Sequence, residues 1–593
     1  MQSVGLLVAN LTYDSGRAVT FIQEGDNSGN TLIYAIEIEY LLESDTRQKI
    51  QLTRQNLLII FKNIRRGLII QELEFTKLVE QIIVQSNLLN VARIPPTLKI
   101  PLKSHQNEGI AWLQNCYKLN RDGLNYQGVL LADDMGLGKT LQVLSFLERL
   151  GFDEKIKKPH LIIAPVILLD NWQDEYKKFF NGANEPYVLN SCSVKQFIKD
   201  KDLKNDQFGL AYGKNKIPIR LDINLLRQKK IIVVNYDTLV EHQTSFAAID
   251  WHVVVLDEAQ NIKTPWTQQT KVTKTLKAEF KIAMTGTPVE NSMLDVWSIF
   301  DFLNEGLLLP LQQFKREYNK DSITNEAISK LKQQLFFGTQ YSYMLRRLKK
   351  NVLKDFVSKE VKTHKVDYDS LQLEKYKKLM QDWVHNPKRA IEFLPLINNL
   401  HQNIVLLGGE YTELDFKKSK KAQKLIEIVS DIRKRGDKVL IFAILIEMQN
   451  YLKELLSQHF NVKVSIINGN TASSKRRLIL SEFEEKPDQF VMILSPKAAG
   501  VGLNIVSANH VIHYGRWWNP AVESQATDRA YRIGQTKTVY VHYLIHVDKE
   551  AKVKSFDEKL HNLLKEKVGL ADEFLNIQQN DLSKELIENL NNS

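Results

Sequence analysis

Residues 132–140 combine the types that bind phosphate groups. The string reads ADDMGLGKT, follows the apolar run 128–131 and leads into a second apolar run. In such a strand, glycine turn and helix, backbone N–H groups close around phosphate oxygens and the helix N-terminus adds its positive end. Lys139 would reach the β and γ phosphates, and Thr140 would ligate Mg²⁺. Because Asp133 stands where the phosphate-loop pattern has its first glycine, an ordinary glycine turn is the alternative for this string alone.

A pair of carboxylates follows a second apolar run. Residues 253–263 read VVVLDEAQNIK, so β-branched residues lead directly into Asp257 and Glu258. In open α/β sheets, ligands bind at the carboxyl ends of the strands. One carboxylate can hold a metal ion while the other polarises an attacking water, which is what nucleotide hydrolysis requires. A strand that ends in a solvated acidic turn is the alternative for the pair alone.

Two arginines lie on one predicted helical face near the C-terminal end. The string QATDRAYRIGQ runs from Gln525 to Gln535, and its Arg529 and Arg532 are three residues apart. Guanidinium groups in this pattern neutralise charge on a transferred phosphoryl group, although a solvated helix face has the same spacing.

The phosphate loop, the acidic strand and nine further segments occur in the order typical of the Swi/Snf-type ATPases of helicase superfamily two, which this chain resembles over about residues 102–575. Besides the phosphate loop and the acidic strand, the matching segments are LKSHQNEGIAWL (102–113), LIIAPVILLDNW (161–172), VVNYDTL (233–239), AMTGTPVENSMLDVWSI (283–299), YMLRRLKKNVLKD (343–355), KVLIFA (438–443), INGNTASSKRR (467–477), SPKAAGVGLNI (495–505) and WWNPAVESQATDRAYRIGQ (517–535). The resemblance implies an α/β fold with two tandem RecA-like parallel-sheet lobes and helical protrusions.

The resemblance also assigns residues. The implied catalytic residues are Lys139, Asp257, Glu258, Gln525, Arg529 and Arg532. The implied ATP-binding residues are Gln106, which would read adenine, and Asp133, Asp134, Met135, Gly136, Leu137, Gly138, Lys139 and Thr140. Thr140 and Asp257 would bind the metal. The implied DNA contacts are Pro165, Asn171, Tyr236, Thr285, Gly286, Ser495, Gly500, Trp518 and Asn519. For the neighbouring Trp517, core packing is an equal alternative to DNA contact.

Several residues depart from the family pattern. The acidic string is DEAQ where DEAH is commoner, so Gln260 stands in place of His. Tyr531 replaces a usual His, and Leu348 replaces a usual Thr. None of these changes removes a phosphate, metal or finger residue, so we expect them to affect rate and regulation.

The composition excludes several classes of protein. With 593 residues, 43% hydrophobic and 25% charged, the chain is typical of a soluble globular protein of about three domains. It has no apolar run of about 18 residues and no signal-peptide pattern at its N-terminus, so no membrane span or secretion is expected. The two cysteines are too few for a zinc site or a disulfide framework, which favours an intracellular protein.

The chain divides into four predicted parts. Residues 1–95 lie outside the resemblance and form a small α+β accessory module, with strands at 6–8, 18–22 and 31–40 and a helix at 75–89. The ATP-binding lobe 1 covers 97–350 and lobe 2 covers 365–550. Residues 551–593 form amphipathic brace helices. The polar, Lys-rich stretch 191–230 is predicted to be a surface insertion.

The expected function is ATP-dependent translocation on double-stranded DNA, which remodels or displaces bound protein without strand separation. The net charge of +11 suits a polyanionic partner. The cofactors would be ATP and Mg²⁺, and the motor would be monomeric. The alternatives are an RNA-polymerase-recycling factor and a DNA-stimulated ATPase switch subunit of a defence or regulatory complex. Lys, Asn and Ile usage favours an AT-rich prokaryotic source, hence a cytoplasmic, nucleoid-associated location; a eukaryotic source would imply the nucleus.

Overall fold

The computed structural model describes the backbone of four N-terminal strands and most of residues 91–575. The gaps in the latter range are 154–156, 183, 199–220, 291, 319–323, 338–340, 354–355, 387–388, 408–412, 497–504, 518 and 549–554. Among the described residues, no helix has the length and apolarity needed to cross a membrane.

The N-terminal strands form an antiparallel sheet in the order β1-β2-β3-β4. They are β1 (Leu6–Thr12), β2 (Ala18–Gly25), β3 (Thr31–Leu41) and β4 (Arg47–Gln51). The first three contain the strands that the sequence predicts, whereas β4 has no counterpart in the prediction. The helix predicted at 75–89 lies outside the described residues, as does much of the insertion predicted at 191–230.

Lobe 1 is built on a seven-stranded parallel sheet with the order β11-β5-β10-β9-β6-β8-β7. Its strands are β5 (Gly128–Leu131), β6 (His160–Ala164), β7 (Tyr187–Leu189), β8 (Ile231–Asn235), β9 (Asp250–Leu256), β10 (Lys277–Met284) and β11 (Met344–Leu345). The central strands β5, β6 and β8 are buried along their whole length, as expected for a parallel sheet covered by helices on both faces.

The helices of this part of the chain connect the strands and cover the sheet. They are α1 (Ser104–Arg121), α2 (Lys139–Asp153), α3 (Leu169–Phe179), α4 (Ile223–Arg227), α5 (Tyr236–Glu241), α6 (Gln243–Ala247), α7 (Gln268–Lys274), α8 (Met293–Leu303), α9 (Leu311–Glu317), α10 (Asn325–Lys332) and α11 (Lys349–Val352). Helix α8 packs into the lobe 1 core, where its Val296, Ile299 and Phe300 are fully buried.

Lobe 2 has a six-stranded parallel sheet with the order β12-β17-β16-β13-β15-β14. Its strands are β12 (Lys359–Asp367), β13 (Val439–Phe442), β14 (Ser465–Ile467), β15 (Val491–Leu494), β16 (His510–His513) and β17 (Val539–Val547). Because β12 pairs with β17 from Lys359 onward, this sheet begins before the predicted boundary at residue 365.

The remaining helices belong to lobe 2, its protrusion and the C-terminal brace. They are α12 (Ser370–His385), α13 (Ala390–Gln402), α14 (Glu413–Lys418), α15 (Lys420–Lys434), α16 (Ile446–Phe460), α17 (Ser473–Glu485), α18 (Pro520–Thr527) and α19 (Phe556–Leu575). Helices α12 and α13 share a small core around Ile397 and Leu400, and Phe556 of α19 packs against it. The brace helix therefore contacts the lobe 2 protrusion.

Three histidines on neighbouring strands of lobe 2 form one hydrogen-bonded row. His364 Nε2 lies 3.0 Å from His542 Nδ1, and His542 Nε2 lies 3.1 Å from His510 Nδ1. The row ends on Asp437, whose Oδ2 is 3.4 Å from His510 Nε2. Because a carboxylate only accepts, His510 donates to it through Nε2–H, and each preceding neutral ring must then also donate through Nε2–H.

Protonation of this row is unfavourable in the folded state. Burial lowers the pKa of His542 to about 3, helped by its histidine neighbours, and lowers that of His510 to about 4 despite the opposing charge of Asp437. Burial similarly lowers the pKa of His513 to about 3 and that of His401 to about 4. Lobe 2 is thus rich in histidines that stay neutral when folded.

We expect acid to destabilise lobe 2. Below about pH 6.5 these histidines take up protons in the unfolded chain but not in the folded one, so the free energy of unfolding falls as the pH decreases towards 4. Each such histidine lowers the free energy of unfolding by about 2 kcal/mol as the pH falls from 6.5 to 5. Urea unfolding at pH 7.5 and 5.0 should show less pH dependence for His542→Gln than for the parent. The exposed His385→Gln is the control, and unchanged dependence in His542→Gln would contradict the assignment.

Candidate active site

The phosphate-loop string lies between β5 and α2. Gly136 and Gly138 both have φ of +85°, a conformation that side chains rarely adopt. A Cβ on Gly138 would come within 2.7 Å of Gln106 Nε2, so this loop packs closely against α1. Lys139 Nζ donates to the Asp133 carbonyl at 2.6 Å. Burial lowers the pKa of Lys139, whereas the charges of Glu258 and neighbouring aspartates oppose the shift.

The carboxylate of Asp257 is held at the end of β9. Trp172 Nε1 donates to its Oδ2 at 3.0 Å, and the backbone N–H of Glu258 donates to its Oδ1 at 3.0 Å. The Tyr236 hydroxyl donates to the Asp257 carbonyl at 2.9 Å. Burial raises the pKa of Asp257, and the negative charge of Glu258 adds to this effect. A divalent cation at this carboxylate would relieve both effects.

Glu258 is strained and linked to the loop after β10. Its φ of +50° is left-handed, which is uncommon for a residue with a side chain and typical of functional sites. Gln260 Nε2 donates to Glu258 Oε2 at 2.8 Å, and the Thr285 hydroxyl donates to Gln260 Oε1 at 2.8 Å. The glutamine of DEAQ therefore bridges the candidate water-activating carboxylate to Thr285.

The two arginines from lobe 2 enter the same site. Arg529 is 3% exposed. Burial, together with the positive charge of Arg532, lowers its pKa to about 10, and the charge of Glu258 opposes this shift. A Cβ on Gly136 would lie 3.0 Å from Arg532 Cγ, so Arg532 packs on the phosphate loop. Gln525 is buried on α18, which leads into this arginine segment. The structure thus brings together the residues predicted from distant strings.

The side chain of Asp133 is engaged within lobe 1. Its side chain is fully buried and forms a bidentate ion pair with Arg347, whose Nε donates to Oδ1 at 2.9 Å. Arg347 also donates to the carbonyl of His105 and to Gln142 Oε1 at 2.9 Å. The aspartate in the glycine position thus anchors the loop through its side chain, and its carbonyl accepts from Lys139. Its predicted part in ATP binding stays a prediction that concerns the backbone.

Asp134 is held by the same segment. Its carboxylate accepts the Lys349 backbone N–H at 3.0 Å and lies 3.6 Å from the Arg346 guanidinium. Sequence reasoning missed Arg346, Arg347 and Lys349, although the cation cluster in LRRLKK was a usable signal. It also missed Trp172, whose indole N–H is visible only as a potential donor in the sequence.

Gln106 is engaged at the phosphate loop. Its Oε1 accepts the Lys103 backbone N–H at 3.0 Å, which caps α1, and its Nε2 lies 3.5 Å from the Leu137 carbonyl. The remaining predicted ATP-binding residues lie in the loop or at the start of α2. The Met135 side chain packs against Gly286 so closely that a Cβ added there would lie 2.8 Å from Met135 Cγ. Thr140 is the second residue of α2.

Two residues predicted to contact DNA have side chains that point into lobe 1. The side chains of Tyr236 and Thr285 are 4% and 1% exposed, and their hydroxyls donate to Asp257 and Gln260. These hydroxyls therefore support the acidic strand and the residues that follow it, and contact with DNA through the backbone of either residue stays a prediction. Asn519 also has an internal role, because its Nδ2 donates across the lobes to Glu290 Oε2 at 2.9 Å and its Oδ1 caps α18.

The other predicted contacts have mixed placements. Pro165, Asn171, Gly286 and Ser495 are described residues in or near the connections after β6, β10 and β15. Asn171 is half-buried, with its Nδ2 3.3 Å from Glu175 Oε1. Gly500 and Trp518 lie outside the described residues.

The donor set fits a magnesium–nucleotide complex rather than a metal held by protein alone. Among the described residues, no group of three or more His, Cys, Asp or Glu side chains is arranged to bind a metal. One hydroxyl and one carboxylate at a phosphate loop suit Mg²⁺, which keeps waters and substrate phosphates as ligands. Thr140 and Asp257 would supply this pair.

Comparison with known proteins agrees with this geometry. A family model described as the SNF2-related domain matches residues 105–437, and one described as the helicase conserved C-terminal domain matches 417–534. The chain is 37% identical over 547 residues to the Zorya protein ZorD of Escherichia coli O139:H28, covering 85% of this chain and 48% of that protein. It is 33% identical over 516 residues to the putative ATP-dependent helicase/translocase YwqA of Bacillus subtilis, covering 84% and 51%.

A solved structure also matches. The Sulfolobus solfataricus SWI2/SNF2 ATPase core in complex with dsDNA is 30% identical, with 82% of this chain and 95% of that chain covered and a TM-score of 0.39. The chain spans about half the length of the two curated relatives described above.

The two parallel-sheet lobes and the site between them define an ATPase of helicase superfamily two. Within that superfamily, the chain belongs to the SNF2 family. The resemblance drawn from the motifs is therefore confirmed.

The Asp133–Arg347 pair yields a stability prediction. Asp133→Asn leaves a buried guanidinium without its charge partner, which costs about 3–5 kcal/mol in comparable pairs. We expect thermal unfolding to shift down accordingly, whereas Asp122→Asn, at an exposed position of the same lobe, should leave it unchanged. Equal melting temperatures for the two variants would show that the pair does not anchor the loop.

Proposed function

We propose that this protein is an ATP-dependent translocase on double-stranded DNA that remodels or displaces bound protein without separating the strands. The observation that carries the proposal is the divided site: lobe 1 holds the phosphate loop and both carboxylates, and lobe 2 supplies Arg529 and Arg532. A site completed only when two lobes meet couples a chemical step to a change in lobe spacing.

Each residue has a proposed task in hydrolysis. Thr140 and Asp257 would bind the Mg²⁺ that accompanies ATP, and ATP would supply the phosphoryl group. Lys139 neutralises charge on the β and γ phosphates, and Glu258 orients and polarises the attacking water. Arg529 and Arg532 stabilise the charge that develops on the transferred group, while Gln525 supports their segment. Gln106 reads the adenine edge through its amide.

The track is proposed to be duplex DNA gripped through its phosphates. A motor that advances cannot depend on base sequence, so its contacts go to the backbone. The net charge of +11 and the name of the YwqA relative, which includes helicase and translocase, support a nucleic-acid track. The candidates for these contacts, through backbone or side-chain groups, are Pro165, Asn171, Tyr236, Thr285, Gly286, Ser495, Gly500, Trp518 and Asn519. The motor is proposed to act as a monomer.

A second candidate is a DNA-stimulated ATPase switch subunit of a defence or regulatory complex. The 37% identity to the relative named Zorya protein ZorD favours it. An RNA-polymerase-recycling factor is the third alternative, which a stable complex with polymerase would support.

The polymer dependence of ATP hydrolysis tests the track. We expect duplex DNA to stimulate the ATPase more than single-stranded DNA or RNA, with little effect of base sequence and a steep loss of binding with salt. Triplex displacement should require ATP, whereas a forked duplex should remain paired. Stimulation without triplex displacement would support the switch subunit, and vigorous unwinding or activation by RNA alone would contradict the proposal.

Variants of the site test the chemistry. Glu258→Gln should bind a fluorescent ATP analogue normally and stall hydrolysis, because only water activation is lost. Arg532→Ala should also bind nucleotide and lose roughly three decades in rate, the range of arginine fingers. Lys139→Ala should lose most activity, and the exposed Lys271→Ala is its matched control. Parental rates in any of the three site variants would refute that assignment.

A further inference from the structure

The segment 344–353 is bound to the phosphate loop by several polar contacts. Its strand β11 pairs with β5, directly before the loop. Beyond β11, Arg347 holds Asp133, and the Lys349 backbone N–H holds the Asp134 carboxylate at 3.0 Å. Both aspartates of the loop are thus fixed by this one segment, which then leads into lobe 2.

The side chain of Lys349 crosses to the other lobe. Its Nζ donates to Asp528 Oδ1 at 2.9 Å and to the Tyr531 carbonyl at 2.7 Å. The same ammonium lies 5.0 Å from the centroid of the Tyr531 ring. An ammonium has three N–H donors, so two hydrogen bonds and one aromatic face account for all of them.

Because Lys349 is buried, its ammonium would lose free energy of solvation without gaining partners if these hydrogen bonds were absent. Its side chain is 3% exposed, and an ammonium removed from water needs compensating partners. All of those partners belong to the segment that carries Arg529 and Arg532. If the lobes separate, Lys349 regains water and Asp528 loses its ion pair, so the contact forms and breaks with closure of the cleft.

The ring of Tyr531 makes two further contacts with the segment that follows Lys349. The ring meets Phe356 at a centroid distance of 4.7 Å and an angle of 60°, and Lys359 Nζ lies 5.1 Å from it. The tyrosine that departs from the family pattern is therefore packed against the segment that joins the lobes. Arg529 and Arg532 lie on either side of Tyr531 in the sequence, and Arg532 packs on the phosphate loop at Gly136.

We propose that Lys349 is a positioning residue that docks the arginine segment of lobe 2 onto the phosphate loop, through Asp528 and Tyr531. The inference rests on the proposed role of Arg529 and Arg532. Lys349 touches neither nucleotide nor water in this scheme. It acts on the rate by setting how often the arginines are in place.

The test is Lys349→Met in the full-length chain, which keeps the length of the side chain and removes its charge. The affinity for a fluorescent ATP analogue should stay within about twofold, whereas the kcat of the DNA-stimulated ATPase should fall at least about tenfold. Lys349→Arg should recover part of the rate. Asp528→Asn should reproduce the loss, and the double variant should lose no more than either single variant. Lys434→Met, with its side chain 77% exposed, is the matched control.

Lobe spacing supplies a readout that a loss of stability would not mimic. After Cys192→Ser removes the exposed thiol, Gln228→Cys and Lys434→Cys allow one label on each lobe. With a non-hydrolysable ATP analogue, the parent should populate the short interlobe distance and Lys349→Met should populate it less. Unchanged kcat and unchanged distances in Lys349→Met would overturn the proposal, as would equal losses of nucleotide affinity and rate.

Arg532→Ala separates this inference from the proposed function. If Arg532→Ala is inactive while Lys349→Met keeps the parental rate, the arginine role stands and the positioning role of Lys349 is wrong. If Arg532→Ala keeps the parental rate, the proposed arginine role itself fails, and the positioning role that rests on it falls with it.

Discussion

The division of charge between two separate sheets is the constraint on which the rest of this structure depends. Lobe 1 places the buried carboxylate of Asp257 and the half-buried carboxylate of Glu258 close enough to Lys139 for their charges to interact. Lobe 2 brings Arg529 and Arg532 to the same place. Because desolvated charges need opposite partners, the site is electrostatically complete only when both lobes contribute.

The same constraint explains the dense support around the phosphate loop. A loop that must present backbone N–H groups to phosphate has few internal contacts, and here two aspartates tie it to residues after β11. The bidentate Asp133–Arg347 pair is buried, so it fixes geometry more than it adds stability. The substitution of an acid for the first glycine of the pattern thus becomes part of the scaffold.

Side chains from several motif segments point inward rather than outward. Trp172, Tyr236 and Thr285 come from segments whose resemblance suggested contact with DNA, yet their polar atoms meet Asp257 and Gln260. This arrangement joins the surface segments to the acidic strand through single hydrogen bonds. A shift of those segments would therefore move groups bonded to Asp257 and Gln260, which adjoin Glu258, the residue with left-handed backbone.

The sequence by itself determined the class of fold and the chemical inventory of the site. Apolar runs followed by GKT or DE specify buried parallel strands with ligands at their carboxyl ends, and this pattern is local enough to be read without contacts. The orientation of side chains was decided only by tertiary structure. Asp133, Tyr236 and Thr285 carry polar groups that suit a ligand, and their burial against Arg347, Asp257 and Gln260 depends on residues that are distant in the chain. The partner of Lys349 lies 179 positions away, and spacing along a chain holds no information about such a pair.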